Sequence, residues 1–131
     1  NQPLFIDKVT PIVQPAKDIA SVKMQLSTSG STLQSLAKGF LNQGVITDTE
    51  ILDLFAEKIW EERGTQDPYM ADSLAYLCKT LAKSGNARYN QLLQTVADTA
   101  GSNRLKRHAK SSLELLPKTE AEQFTPRATT N

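Results

Sequence analysis

The sequence predicts an all-α domain of five or six helices, and three observations carry that reading. Apolar residues recur at steps of three and four along most of its length, the spacing that lines one face of a helix. Glycine, proline and N-cap side chains fall where those runs break. Aromatic residues make up only 6% of the chain and β-branched alternation is sparse, so little of it favours strands.

Residues 1–15 carry Pro3, Pro11 and Pro15, which remove backbone donors and push their predecessors toward extended geometry. They also hold Leu4, Phe5, Ile6, Val9, Ile12 and Val13, so the segment reads as an extended arm or short helix packed on a body spanning 16–116. From Ala16 to Ser27 two patterns compete. Ile19, Val22 and Leu26 fit a helix, while Val22, Met24 and Leu26 alternate as in a strand; without a strand partner elsewhere, helix is expected. A helix from about Thr32 to Gln43 buries Leu33, Leu36, Ala37, Phe40 and Leu41, and Gly44 stops it.

Thr47 and Glu50 have the capping-box spacing at the start of a helix over 48–63. That helix has two apolar stripes, Ile51, Leu54 and Phe55 on one and Leu52, Ala56, Ile59 and Trp60 on the other. Two stripes imply packing on two sides, as for an interior member of a stack. Asp67 before Pro68 is a good N-cap with proline in the first turn of a helix over 68–84. Met70, Leu74, Leu77 and Leu81 line that helix, beside the small residues Ala71, Ala75, Cys78 and Ala82. Residues 86–116 read as two helices folded back at Gly101, a position suited to a left-handed helix stop. Tyr89, Leu92, Leu93, Val96, Ala97 and Ala100 line one face of the first, and Leu105, Ala109, Ser112 and Leu116 one stripe of the second, flanked by His108, Leu113 and Leu115 and ended by Pro117. Residues 117–131 carry one large apolar side chain, Phe124, so they read as a flexible tail or one held only where Phe124 docks.

The last helix pair has an earlier copy. A shift of 38 residues places Ile51, Leu54, Phe55 and Ile59 on Tyr89, Leu92, Leu93 and Ala97. A shift of 35 places Met70, Leu74, Cys78 and Leu81 on Leu105, Ala109, Leu113 and Leu116. Two helices per about 35–38 residues is the period of an α-solenoid. The segment RLKRHAKSSLELL, with Arg107 and Ala109 before Leu113 and Leu116, resembles the second helix of HEAT-type repeats, and the resemblance covers about residues 47–116. It implies a short HEAT-like superhelix, a scaffold for protein contacts without catalytic residues. An irregular antiparallel helical bundle predicts nearly the same spacing. The repeat register also places Arg107 in the row of Asp72 and Glu114 in the row of Lys79, so parallel second helices with salt bridges between them are expected.

A chain of 131 residues with a net charge of +1 fits one domain and makes no case by itself for a polyanionic partner. One cysteine excludes an intrachain disulfide and a cysteine-rich zinc site, and no apolar run approaches the roughly 20 residues of a membrane span. No cofactor-binding motif is present, and His108 and Cys78 read as structural residues rather than a catalytic pair. The start at Asn1 without methionine leans toward a removed export signal; an excised domain would explain it too.

Two features are candidates for binding. Exposed aromatics anchor protein interfaces, which singles out Tyr69, Tyr76 and Trp60. The basic cluster of Arg104, Lys106, Arg107 and Lys110 lies mostly opposite the core stripe of its helix. Non-catalytic binding of a protein or peptide along helices 68–84 and 103–116 is therefore expected. The competing reading is nucleic-acid binding through the basic helix 103–116.

Overall fold

A computed structural model describes residues 18–127, and the proline-rich arm expected over 1–15 lies outside them. Six helices and one 3₁₀ turn make up the described chain, with no strand among those residues. They are α1 (Ile19–Leu26), α2 (Gly30–Asn42), α3 (Thr49–Glu62), α4 (Pro68–Ser84), the turn Ala87–Tyr89, α5 (Asn90–Thr99) and α6 (Asn103–Leu115). Side-chain caps start most of them. Asp18, Asp48, Asp67 and Ser102 each accept a backbone N–H of the first turn, satisfying donors a helix end leaves open.

The ambiguity in α1 resolves at one residue. Val22 and Leu26, one turn apart, are buried, whereas Met24 between them is 71% exposed, so the period is that of a helix. The α1–α2 pair is one that the repeat search did not reach. Three helix pairs therefore follow one another along the chain.

Polar contacts fix how the pairs stack. Gln34 donates to Asp72 at 3.0 Å near the starts of α2 and α4, and Lys83 donates to the Leu41 carbonyl at 2.8 Å near their ends. Those two helices run parallel. Gly101 just ahead of α6 donates to the Arg63 carbonyl ahead of α4, Arg104 pairs with Asp72 near their starts, and the two helices pack together, so α6 is parallel to α4 as expected. In the other layer Asp53 of α3 binds Arg88 and Tyr89 just ahead of α5. The result is two layers, α1, α3 and α5 in the first and α2, α4 and α6 in the second, with successive helices antiparallel.

The core lies between the layers. Phe40 of α2 and Phe55 of α3 meet across it with ring centroids 4.8 Å apart, and Leu33, Leu52, Ile59, Leu74, Leu77, Leu81, Leu93 and Leu105 are fully buried. The expected double burial of α3 is present: Ile51, Leu52, Phe55, Ala56 and Ile59 are all buried. Helix α4 is enclosed further still, packing on α2, α3 and α6. Its buried Ser73 and Thr80 return their hydroxyls to the carbonyls of Tyr69 and Tyr76, at 2.7 and 2.9 Å.

Three expectations are corrected. The charge register is off by one turn: Asp72 pairs with Arg104 instead of Arg107, and Lys79 and Glu114 form no ion pair among the described residues. Apolar helical spacing nearly repeats itself three or four residues on, so an alignment built on it can slip by a turn. Gly101 does not take the left-handed conformation, which Gly85 at the end of α4 does with φ of 68°. Its role is close approach: its N–H donates to the Arg63 carbonyl at 2.9 Å, and an added Cβ would collide with the Gly64 carbonyl, 2.8 Å from its carbon. Finally, of the two readings of the segment after Leu116 the docked one applies, and residues 117–127 are held at more points than Phe124 alone. They cross the start of α5 and run onto α3, with Phe124 only 8% exposed.

Two expectations follow for stability, both measured by denaturant unfolding. Leu105→Ala and Leu116→Ala, at buried sites, should cost about 2–5 kcal/mol each, and Leu113→Ala, only partly buried, distinctly less. Gly101→Ala should cost about 1–3 kcal/mol through overpacking against Gly64, although its backbone angles suit alanine.

Candidate functional site

The outward face of the second layer is built on α4. With so much of that helix buried, Asp72, Tyr76, Lys79 and Lys83 form its one solvent-facing line, and Tyr69 extends it. Asp72 sits between its neighbours, accepting from Gln34 of α2 on one side and pairing with Arg104 of α6 on the other. Beyond that row the cations are unmatched. Lys38 and Lys79 form no ion pair among the described residues, and neither do Arg107 and Lys110, both exposed.

His108 registers the imbalance. Its pKa is lowered first by desolvation and then by the charges of Lys79, Arg104 and Arg107, against which Asp72 is the opposing influence. The two layers differ in sign. Helices α2, α4 and α6 carry Lys38, Lys79, Lys83, Arg104, Lys106, Arg107 and Lys110 against Asp72 and Glu114. Helices α1, α3 and α5 carry Glu50, Asp53, Glu57, Glu61, Glu62 and Asp98 against Lys23 and Lys58.

The six residues singled out from sequence do not form one site. Tyr69 is 49% exposed, Tyr76 is partly buried against the core, and both share the α4 line with the basic row. Arg104 and Arg107 flank His108, while Lys110 lies one turn further along α6. Trp60 belongs to the opposite layer. The Arg63 guanidinium covers its ring at 3.5 Å from the centroid, and Leu92, Phe124 and Pro126 line the same depression.

That layer holds an arrangement that sequence reasoning missed. The Asp53 carboxylate accepts two bonds from Arg88, both at 3.0 Å, and one from the Tyr89 hydroxyl at 2.7 Å. Burial raises the Tyr89 pKa, and the hydrogen bond to Asp53 adds to the effect. Arg88 also binds the C-terminal segment: its carbonyl accepts the Phe124 N–H at 3.0 Å and its guanidinium donates to the Glu122 carbonyl at 3.3 Å. Phe124 packs against Tyr89 with centroids 6.3 Å apart. Gln123 donates to the Ala87 carbonyl and accepts the Gln91 N–H, at 2.9 and 2.8 Å. Glu57 accepts the Arg127 N–H at 3.0 Å. The Asp53–Arg88 contact spans 35 residues, three short of the 38-residue shift that relates the first helices, so the apolar register did not point to it.

Among the described residues no three His, Cys, Asp or Glu side chains converge to hold a metal ion, and no helix is long and apolar enough to cross a membrane. Cys78 is fully buried, and burial pushes its thiol up to about 12. A thiol reagent near neutral pH should therefore label it slowly in the native protein and rapidly after unfolding; fast native labelling would contradict the burial. No protein-family model matches the chain, and no curated protein or solved structure matches it either.

Proposed function

We propose that the chain is a short HEAT-like α-solenoid that binds an acidic protein or peptide, without catalysis, along the outward face of its second layer. The row of cations unmatched by carboxylates, with Tyr69 and Tyr76 along the same line, carries the reading. The three stacked helix pairs support the solenoid part, because they present equivalent positions side by side. Asp72 and Glu114 lie among the cations, which suits a partner of mixed side chains better than a uniform phosphate backbone. The tyrosines supply contact area at low entropy cost.

The test uses a fluorescein-labelled Glu-rich dodecapeptide, its Gln-rich neutral analogue and a single-stranded DNA of twelve nucleotides. The acidic peptide should bind more tightly than the neutral one, weaken with salt, and lose about tenfold or more on either Lys79→Glu or Arg107→Glu. Equal binding of the two peptides would overturn the reading, and DNA binding the tighter with a steep salt slope would replace it with nucleic-acid recognition.

His108 gives an independent readout, being the single histidine. Its folded pKa lies below the ordinary value, so its protonation opposes the native state: the stability present above about pH 6.5 is lost as pH falls through the folded pKa. An anionic partner offsets the field of Lys79, Arg104 and Arg107. Binding should therefore raise the imidazole pKa and take up a proton, and affinity should strengthen as pH falls through this range. An NMR titration with and without the acidic peptide measures the shift.

A further inference from the structure

The chain's own C-terminal segment displays a mode of recognition on the first layer. Residues 122–127 run without helix until Arg127 over the start of α5 and the flank of α3, and much of what holds them is backbone. Arg88 reads the Glu122 carbonyl and the Phe124 N–H, and Glu57 reads the Arg127 N–H. Such contacts are indifferent to side-chain identity. Selectivity rests on Phe124, buried against Tyr89, and on Gln123, whose amide oxygen satisfies the Gln91 N–H in the first turn of α5.

Main-chain bonds combined with one aromatic pocket are how grooves commonly bind extended peptides. The groove also continues past the anchor. A cavity of about 360 Å³ adjoins Thr125 and Arg127, and Glu50, Asp53 and Glu57 supply carboxylates to it, against Lys23 and Arg88. Asp53 is already engaged by Arg88 and Tyr89, and one oxygen of Glu57 accepts the Arg127 N–H, so Glu50 and the second oxygen of Glu57 are the carboxylate groups favouring a basic residue there.

We propose that this groove is a second peptide-binding site, for extended segments with an amide side chain before an aromatic anchor and a basic residue three positions after it. Residues 122–127 are its resident ligand, and a segment from another protein enters by displacing them. The site lies on the opposite layer from the basic face and does not depend on that face binding anything. Competition with a tethered ligand is quantitative: a short flexible tether holds its ligand at an effective concentration on the order of millimolar. An added peptide with intrinsic affinity of about 100 μM would therefore see the wild-type groove weakened by about tenfold.

The experiment adds a fluorescein-labelled peptide of sequence TEAEQFTPR, residues 119–127, to the full chain and to two full-chain variants. Phe124→Ala empties the anchor pocket, and Gln123→Ala loosens the segment without opening a buried site. The peptide should bind the Phe124→Ala chain at least about tenfold more tightly than wild type, with Gln123→Ala between them. A peptide with alanine in place of its phenylalanine should not bind. Trp60, the single tryptophan, lines the Phe124 depression, so its emission should change with Phe124→Ala and return as peptide fills the site. Variants that keep wild-type helicity and cooperative melting yet bind the peptide no better than wild type would overturn the proposal. So would equal binding of the alanine peptide. Should Phe124→Ala fail to fold, Gln123→Ala decides alone. Lys79→Glu should leave this binding unchanged, which separates it from the face on the second layer.

Discussion

The enclosure of α4 is the constraint on which the rest of this structure depends. A helix packed by α2 and α6 in its own layer and by α3 beneath has one line of positions left for solvent. Polar side chains outside that line must satisfy themselves locally, as Ser73 and Thr80 do on their own helix. The charged and aromatic residues are confined to it, and they meet whatever α2 and α6 present alongside. Asp72 is thereby placed to take Gln34 from one neighbour and Arg104 from the other. The first layer has a counterpart in Asp53, which ties α3 to the entry of α5 through Arg88 and Tyr89. The two ties differ in energetic weight. The Arg104 side chain is 55% exposed and screened by water, whereas Asp53 and Arg88 are more enclosed and the Tyr89 ring is buried. Losing Asp53 would strand a hydroxyl out of reach of solvent, a cost of about 1–3 kcal/mol, against about 0–1 for an exposed pair.

Segregation of charge follows from the layering. Each helix has one outward side, so the residues there add along a layer instead of cancelling across the molecule. A net charge of +1 conceals a basic face on one side and an acidic one on the other. The sides differ in how they could hold a partner. The second layer offers charge and two tyrosines on a helical surface. The first offers a lined groove with backbone donors and acceptors, already filled by a short length of chain.

Much of this was legible in the sequence, for identifiable reasons. Strong helical periodicity and the cap at Asp67 located the helices after residue 47, although Asp48 and not the expected Thr47–Glu50 capping box starts α3, and the paired stripes of α3 announced burial on two sides. The first pair escaped the repeat search because α1 is eight residues long and its apolar positions also alternate; only the exposure of Met24 separates the patterns. The slip from Arg107 to Arg104 has the same root, since apolar spacing nearly matches itself one turn away. Docking of residues 117–127 left almost no hydrophobic trace. Apart from Phe124, that segment is held by amides, carbonyls and single side chains, which have no period to read. Trp60, a candidate anchor at the edge of its apolar stripe, is partly buried beside Arg63 and the chain's own C-terminal segment.

The Gln123 contact has a temporal consequence. Helix α5 starts without a side-chain cap from its own N-cap residue, and the group that accepts its Gln91 N–H lies 32 positions further along the chain. On a ribosome, α1 to α4 can pack as they emerge, and the side-chain caps of α1, α3 and α4 come from the residue just before each helix. Helix α5 must wait with an open first turn until residues beyond α6 have left the exit tunnel and folded back over it. The last helix pair is thus the last to be completed during synthesis. A chain ending before Gln123 would lack that acceptor, and its Leu92 and Leu93 would be held less firmly than those of the finished chain.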